Sequence, residues 1–295
     1  MLMKVSIVIR VYNESIHIGS LLMAIVDQEF DRQEREIIIV DSGSNDGTLD
    51  IARKFPAKIL HISKDEFSFG RSLNRGCAAA AGDVLVFVSG HCIPTSSYWL
   101  HELIAPLGRD GVVYTYGGQL GNGDSFFSEC QIFAKYFPAS SMIPQRGFYC
   151  NNANSALLKS TWEQYPFDED VTGLEDLHLA RTLVTEGYKI GYVANAAVFH
   201  LHNESWAQIK RRFEREAIAL QEIMPEVQLS FMDFVRYWSS ATALDLRAAA
   251  GNRVLIKKTR EILLYRLMQY WGAYRGNHLH RKLSSRRKEA YYYPR

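Results

Sequence analysis

Apolar residues in this chain fall into short runs separated by polar clusters. Val5 to Val11 is β-branched and apolar until Asn13-Glu14 breaks it, which predicts a buried strand. Ile18, Leu21, Leu22 and Ile25 recur at helical spacing, predicting a helix over 18–26. Glu36 to Val40 predicts a second strand, ending at Asp41, and the Ser-Gly-Ser-Asn-Asp-Gly stretch at 42–47 is a loop by composition. A helix from Thr48 to Lys54, a strand over Lys58 to Ile62 and an Ala-rich helix over Arg71 to Ala81 follow. Val84 to Val88 predicts a fourth strand, stopping at Ser89-Gly90-His91.

Strands that are apolar throughout and alternate with helices predict an α/β fold with a mainly parallel sheet covered on both faces. Ligands in such sheets bind beyond the carboxyl ends of the strands. Those ends carry Arg10 to Glu14, Asp41 to Asp46 and Ser89 to His91. One polar cluster would be a loop; three on one edge predict a site.

The middle of the chain is less regular. Gly117 to Gly123 is glycine-rich and predicts a mobile loop, and Phe126 to Phe137 predicts an amphipathic lid. Asn151-Asn152-Ala153-Asn154 leads into a short apolar stretch. Thr172 to Glu186 predicts a helix with a stripe of Leu174, Leu177, Ala180, Leu183 and Val184. Tyr188 to His200 predicts two short strands around Asn195, and Ser205 starts a helix bearing Trp206, Ile209, Phe213, Ala217 and Leu220. From about Phe231 aromatics interleave with basic residues: Phe234, Arg236, Tyr237 and Trp238, then Tyr265, Arg266, Tyr270, Trp271, Tyr274 and Arg275. Helices of this kind either lie in a membrane interface or pack on the rest of the protein.

The 295-residue length suits one or two domains. A net charge of +2 says little, but its distribution says more. Arg275, Arg281, Lys282, Arg286, Arg287, Lys288 and Arg295 are opposed only by Glu289, a tail that suits an anionic surface or simply solvent. The cysteines Cys77, Cys92, Cys130 and Cys150 have no C-x-x-C spacing, so a zinc ribbon or redox motif is not expected, and Cys77 and Cys92 read as core thiols, which fits a reducing cytoplasm. No apolar stretch approaches the ~20 residues needed to span a bilayer. Arg10 comes too early for a signal-peptide core. The expected location is therefore cytoplasmic, with any membrane contact peripheral and on the inner face.

No G-x-G-x-x-G follows the first strand and no Walker sequence is present, so the usual dinucleotide and P-loop readings are weak. IVIRVYNE at 7–14, IIIVDSGSNDGT at 37–48, GDVLVFVSGH at 82–91, GLEDLHLARTL at 173–183 and the His200 segment, in this order, resemble glycosyltransferase family 2. The resemblance spans about residues 4–215 and is nearest to bacterial enzymes of surface-polysaccharide assembly, including rhamnosyltransferase-like members. It implies a GT-A fold over 1–225, a Rossmann-like mixed sheet flanked by helices, with a basic aromatic helical region over 226–295, and transfer of sugar from a nucleotide-sugar donor to a glycan or lipid-linked acceptor. It further implies that Tyr12 and Glu14 line the base and ribose pocket with Arg10 and Ser89 nearby. On the same resemblance Asp41 would bond the base and Arg71 would approach the diphosphate. Glu14 reads equally as a helix-start carboxylate, and the competing reading of Asp41, less favoured than base binding, is a turn initiator.

The chain departs from the family where the fourth strand ends. The expected metal-binding Asp-x-Asp is replaced by Ser89-Gly90-His91. Imidazole suits Mn2+ better than Mg2+, so His91 and His200 are candidate metal ligands. Alternatively a protonated His91 or Arg71 neutralises the leaving diphosphate without metal. Inverting transfer needs a carboxylate base. Thr172-x-x-Glu175 matches a capping box that explains Glu175 structurally, and the family puts the base on the second residue of its Glu-Asp pair, here Asp176. His200 and His202 point to opposite sides if extended, so at most one faces the site. Lys210, Arg211, Arg212 and Arg215 read mainly as a solvated helix face. Q-x-x-R-W is absent, so single-sugar addition is expected. The alternatives are a nucleotidyltransferase and a non-catalytic nucleotide-sugar-binding module. Nucleic acid is not an expected partner, and donor base, sugar and acceptor stay open.

Overall fold

The computed structural model describes residues 4–31, 35–279 and 291–292. Two compact units are present. The first comprises Met1–Leu120, Phe137–Asp170 and Glu175–Leu201; the second comprises Gly121–Tyr136, Val171–Leu174 and His202–Arg295.

The first unit begins as the apolar pattern predicts. Strand β1 (Val5–Val11), helix α1 (Ile18–Val26), strand β2 (Arg35–Asp41), helix α2 (Thr48–Ala52), strand β3 (Ala57–His61), helix α3 (Phe69–Ala78) and strand β4 (Val84–Ser89) alternate. β1 pairs in parallel with β2 and with β4, and β2 with β3. Ile7, Ile9, Ile39, Val86 and Val88 are buried with Leu21, Leu22 and Ile25 of α1. Each such side chain removed from water contributes about 1.5–3 kcal/mol, so the apolar runs fix this half of the sheet. Cys77 and Cys92 are buried free thiols, as expected.

The remaining strands make the sheet mixed, as the resemblance implies, rather than mainly parallel as the apolar pattern alone predicts. β5 (Cys92–Pro94), helix α4 (Trp99–Ile104), β6 (Val112–Leu120), β7 (Asn154–Leu158), helix α6 (Lys159–Gln164), helix α7 (Glu175–Thr185) and β8 (Lys189–His200) complete the unit, with helix α5 (Phe127–Tyr136) between β6 and β7 in sequence. The sheet order is β3-β2-β1-β4-β7-β6-β8-β5. β7 is antiparallel to β4 and β6, β5 is antiparallel to β8, and β6 is parallel to β8. Apolar alternation reports burial, and a strand buried on both faces looks alike in either direction.

Two local expectations also change. Residues 117–120 are not a mobile loop but the end of β6, and Tyr188 to His200 is one long strand rather than two. The register between these strands shifts after Gly117/Val193. The irregularity explains both. A Cβ at Gly117 would lie 1.9 Å from the Ala196 carbonyl oxygen, so glycine lets the bulged strand approach.

The second unit is helical. It contains α5, α8 (Trp206–Ile223), α9 (Phe231–Gly251) and α10 (Leu255–Asn277). Ser205 caps α8 with a complete capping box, as its position predicts. Phe231, Phe234, Trp271 and Tyr274 form a ring cluster between α9 and α10, and Tyr265 is fully buried, so this part of the aromatic pattern serves packing. Arg212 is not solvated: it pairs with Glu129 at 3.1 Å and Glu204 at 2.8 Å. No helix among the described residues is long and apolar enough to cross a membrane. The tail residues Arg281, Lys282, Arg286, Arg287, Lys288 and Arg295 lie outside the described residues.

Candidate active site

The parallel register aligns the three polar strand ends. Arg10 sits opposite Val40 on one side and Ser89 on the other, and Val11 opposite Asp41. The loop after β1 is tied to the loop after β2. The Asn13 amide donates to Ser44 Oγ, the Glu14 amide to Thr48 Oγ1 and the Ser15 amide to Asp46 Oδ2, at 2.9, 2.7 and 3.0 Å. Asn13 has φ 56°, a conformation Asn tolerates better than most residues. Desolvation raises the Asp46 pKa, but hydrogen bonds from Thr48 and Ser15 outweigh it and bring the carboxyl down to about 2.

Asp41 is buried. Its oxygens accept from the Gly43 and Ser44 amides at 3.1 and 3.0 Å, and His61 Nδ1 lies 3.3 Å away. The turn-initiating role is therefore present in the geometry. Tyr12 presents its ring to Lys64 Nζ, 5.4 Å from the centroid. Lys64 went unnoticed in the sequence because one lysine in a polar loop carries no pattern.

Four side chains form a continuous row. Glu14 Oε1 lies 2.7 Å from His91 Nδ1, His91 Nε2 lies 3.1 Å from His200 Nε2, and His200 Nδ1 lies 2.7 Å from Gln119 Oε1. Gln119 Nε2 donates onward to Asn151 Oδ1 at 2.9 Å, which fixes the amide orientation. The carboxylate and the amide oxygen only accept, so each Nδ1 carries the hydrogen. Both Nε2 atoms then turn toward each other, an arrangement that suits a shared proton or a cation beside the pair. Ring nitrogens oriented by outer hydrogen bonds in this way are typical of metal-ligating histidines. The two residues thus fit a divalent ion that accepts imidazole. Gly90 makes the row possible: a Cβ there would lie 2.8 Å from Glu14 Cγ. His202 Nδ1 lies 2.8 Å from Glu129 Oε1 within the second unit.

The carboxylate pair opens α7, which starts at Glu175 rather than Thr172. The expected Thr172–Glu175 capping box does not form. Leu174 takes φ 55°, turning the chain before the helix, and the buried Thr172 Oγ1 has no hydrogen-bond partner. Glu175 instead pairs with Arg10 Nη1 at 3.2 Å. Arg10 also donates to the Phe69 carbonyl at 3.3 Å. Asp176 is buried and accepts from the Asn152 amide at 2.8 Å and the Leu177 amide at 2.7 Å. Burial, then the neighbouring Glu175 charge, pushes its pKa from 3.8 up to about 7. Asn151 and Asn152 therefore connect the histidine row to Asp176, a role their sequence position did not reveal.

Arg71 stands with other partners. It binds Glu169 at 2.7 Å and the Glu66 carbonyl at 2.8 Å, beside Asn74. Ser89 aligns the strand end by donating its amide to Ala153 O at 3.2 Å.

Known proteins similar to this chain bear on this edge. The model of glycosyl transferase family 2 matches residues 6–144. The match covers a little under half of the chain. The chain is 29% identical over 199 residues to the O-antigen chain rhamnosyltransferase WbaN of Salmonella anatum, covering 63% of this chain and 62% of that protein. It is 27% identical to RfbN of Salmonella typhimurium, an O-antigen chain rhamnosyltransferase, covering 68% of this chain and 67% of that one. The chain thus spans somewhat under two thirds of the first relative's length. In structure it is similar to the mannosyltransferase PcManGT of Pyrobaculum calidifontis, solved with GDP-Man and Mn2+. That match has a TM-score of 0.65 at 18% identity, over 93% of this chain and 85% of that one. It is also similar to S. aureus TarS 1–349, with a TM-score of 0.53 at 15% identity, over 95% and 93%. The mixed sheet flanked by helices has the GT-A fold, as these structures do.

Proposed function

We propose that the chain, through a transferase domain over 1–225, moves one sugar from a nucleotide-sugar donor to a glycan or lipid-linked acceptor in bacterial polysaccharide assembly. The two Salmonella relatives are O-antigen rhamnosyltransferases, which supports this acceptor class. The observation that carries the reading is Asp176. It is a buried carboxylate whose pKa burial and the Glu175 charge raise to about 7, beside the strand-end edge where ligands of such sheets bind. A general base works best when its pKa lies near the operating pH.

The step is a single displacement with inversion. The acceptor hydroxyl oxygen bonds to the anomeric carbon while Asp176 takes its proton. The bond from that carbon to the diphosphate breaks, and the electron pair leaves on the nucleoside diphosphate. Arg10 pairs with Glu175, and the Glu175 carboxylate beside Asp176 raises its basicity. Tyr12, Lys64 and Asp41 frame the donor base: the Tyr12 ring is a stacking surface, and Asp41 Oδ1 retains a lone pair beyond the Ser44 amide. Arg71 meets phosphate only by leaving Glu169.

His91 and His200 would hold a divalent ion, with Glu14 and Gln119 keeping both imidazoles oriented. When bound, such an ion supplies positive charge against the leaving diphosphate. Imidazole ligation favours Mn2+ over Mg2+.

The test is a donor panel read by thermal shift, followed by transfer assays and product NMR. One sugar nucleotide should raise apparent stability most, and its product should carry the inverted anomeric configuration. Retention of configuration, or normal transfer by Asp176→Asn, would overturn the mechanism.

A further inference from the structure

In the second unit, the tip between α9 and α10 combines basic and exposed apolar side chains. Between Asp245 and Glu261 the chain carries Arg247, Arg253, Lys257, Lys258 and Arg260 and no acidic residue. Among the described residues only Lys258 of these five is ion-paired, with Glu261 at 2.7 Å. Apolar side chains are exposed among the cations. Ile256 is 96% exposed and Leu244 67%, and Leu255 beside Ile256 is exposed as well. Ile256, Arg260 and Leu263 recur at i, i+4 and i+7, so one exposed stripe of α10 is apolar and basic. The outward face of α9 continues it through Met232, Val235, Arg236, Ala243 and Arg247, all exposed.

We propose that the α9–α10 tip, residues 244–260, docks on an anionic lipid surface, with Leu255 and Ile256 entering the headgroup boundary and the basic side chains meeting lipid phosphates. Charge complementarity selects an anionic partner. The apolar residues select lipid among anionic partners: a sugar-phosphate backbone offers them nothing, whereas a bilayer removes them from water. No helix of the second unit need cross the bilayer. The surface is separate from the sugar-transfer reading and stands or falls without it.

The experiment is flotation of the full chain with vesicles of phosphatidylcholine alone or mixed with phosphatidylglycerol, with no donor or acceptor present. The protein should float with the anionic vesicles, and salt should release it. Ile256→Ser should weaken binding at least about tenfold, and Arg253→Gln and Lys257→Gln about fivefold for each charge removed. All three side chains are exposed, and an unchanged unfolding temperature controls for the fold. Equal binding to neutral vesicles, or unaltered binding by these variants, overturns the proposal. Binding to duplex DNA that is as tight and insensitive to Ile256 overturns it in favour of a polyanion site.

Discussion

The Nε2 atoms of His91 and His200 face each other at 3.1 Å, while Glu14 and Gln119 bond the far sides of both rings. Glu14 comes from the β1 loop, His91 follows β4, and Gln119 and His200 end β6 and β8. Four distant segments thus hold two lone pairs on one point, where the family's acidic motif is missing.

A metal reading of this pair predicts a graded response. Calorimetric titration of the protein with Mn2+ alone should show binding that His91→Ala and His200→Ala each abolish. Gln119→Ala should keep binding but weaken it roughly tenfold to a hundredfold, because it orients a ligand without being one. Mn2+ affinity that is indifferent to both histidines would leave only the shared-proton reading.

Asp176 makes a prediction with a definite sign. Its folded-state pKa of about 7 lies above the ordinary 3.8. Between those values the unfolded chain has released the proton and the native state still holds it, so the group lowers stability progressively as pH rises through that window. Asp176→Asn lacks this term. Its unfolding temperature relative to the parent should therefore climb from about pH 4 to pH 7. Over the same range parent transfer activity should rise, and Asp176→Asn should reduce turnover by roughly 10²–10⁴-fold with donor binding retained. A stability difference that is flat with pH would contradict the assigned protonation.

The parallel half of the fold was legible because β-branched runs such as Ile7–Val11 and Ile37–Val40 leave few alternatives. The site was legible where a side chain sits at the end of such a run, as with Asp41 and His91. It was not legible where position depends on pairing between remote strands. Gln119 lies in a glycine-rich stretch that reads as a loop, and only the bulged partner β8 makes it a strand end beside His200. The capping-box reading of Thr172 failed for a related reason. Sequence spacing sees four residues, whereas the left-handed turn at Leu174 follows from where α7 must begin.

Arg10 and Glu175 form an ion pair with side chains 20% and 5% exposed. Breaking such a pair from one side leaves a carboxylate in a poor solvent. Arg10→Met should destabilise the protein by about 3 kcal/mol, at the lower end of the range for buried pairs because Arg10 keeps some water. Adding Glu175→Gln should recover much of that loss, giving a large coupling in a double-mutant cycle by urea unfolding. Additive losses would mean that Arg10 acts mainly through the Phe69 carbonyl.

Asp46 fastens the β1 loop, with Tyr12 and Glu14, to the loop after β2, and its carboxyl pKa is held at about 2 against an ordinary 3.8. A depressed carboxylate stabilises fully above the unfolded value and loses its contribution as pH falls through the folded one. The loop should therefore loosen between about pH 4 and pH 2. Asp46 is exposed, so water screens part of the effect, and the sharper readout is local. Amide exchange at Ser15 and Thr48, which donate to this carboxylate, should accelerate in that window. In Asp46→Ala the same amides should already exchange quickly at neutral pH, and donor binding should weaken, because the loop carrying Tyr12 and Glu14 loses its tie. Donor affinity unchanged in Asp46→Ala, with both amides exposed, would separate that tie from the nucleotide pocket.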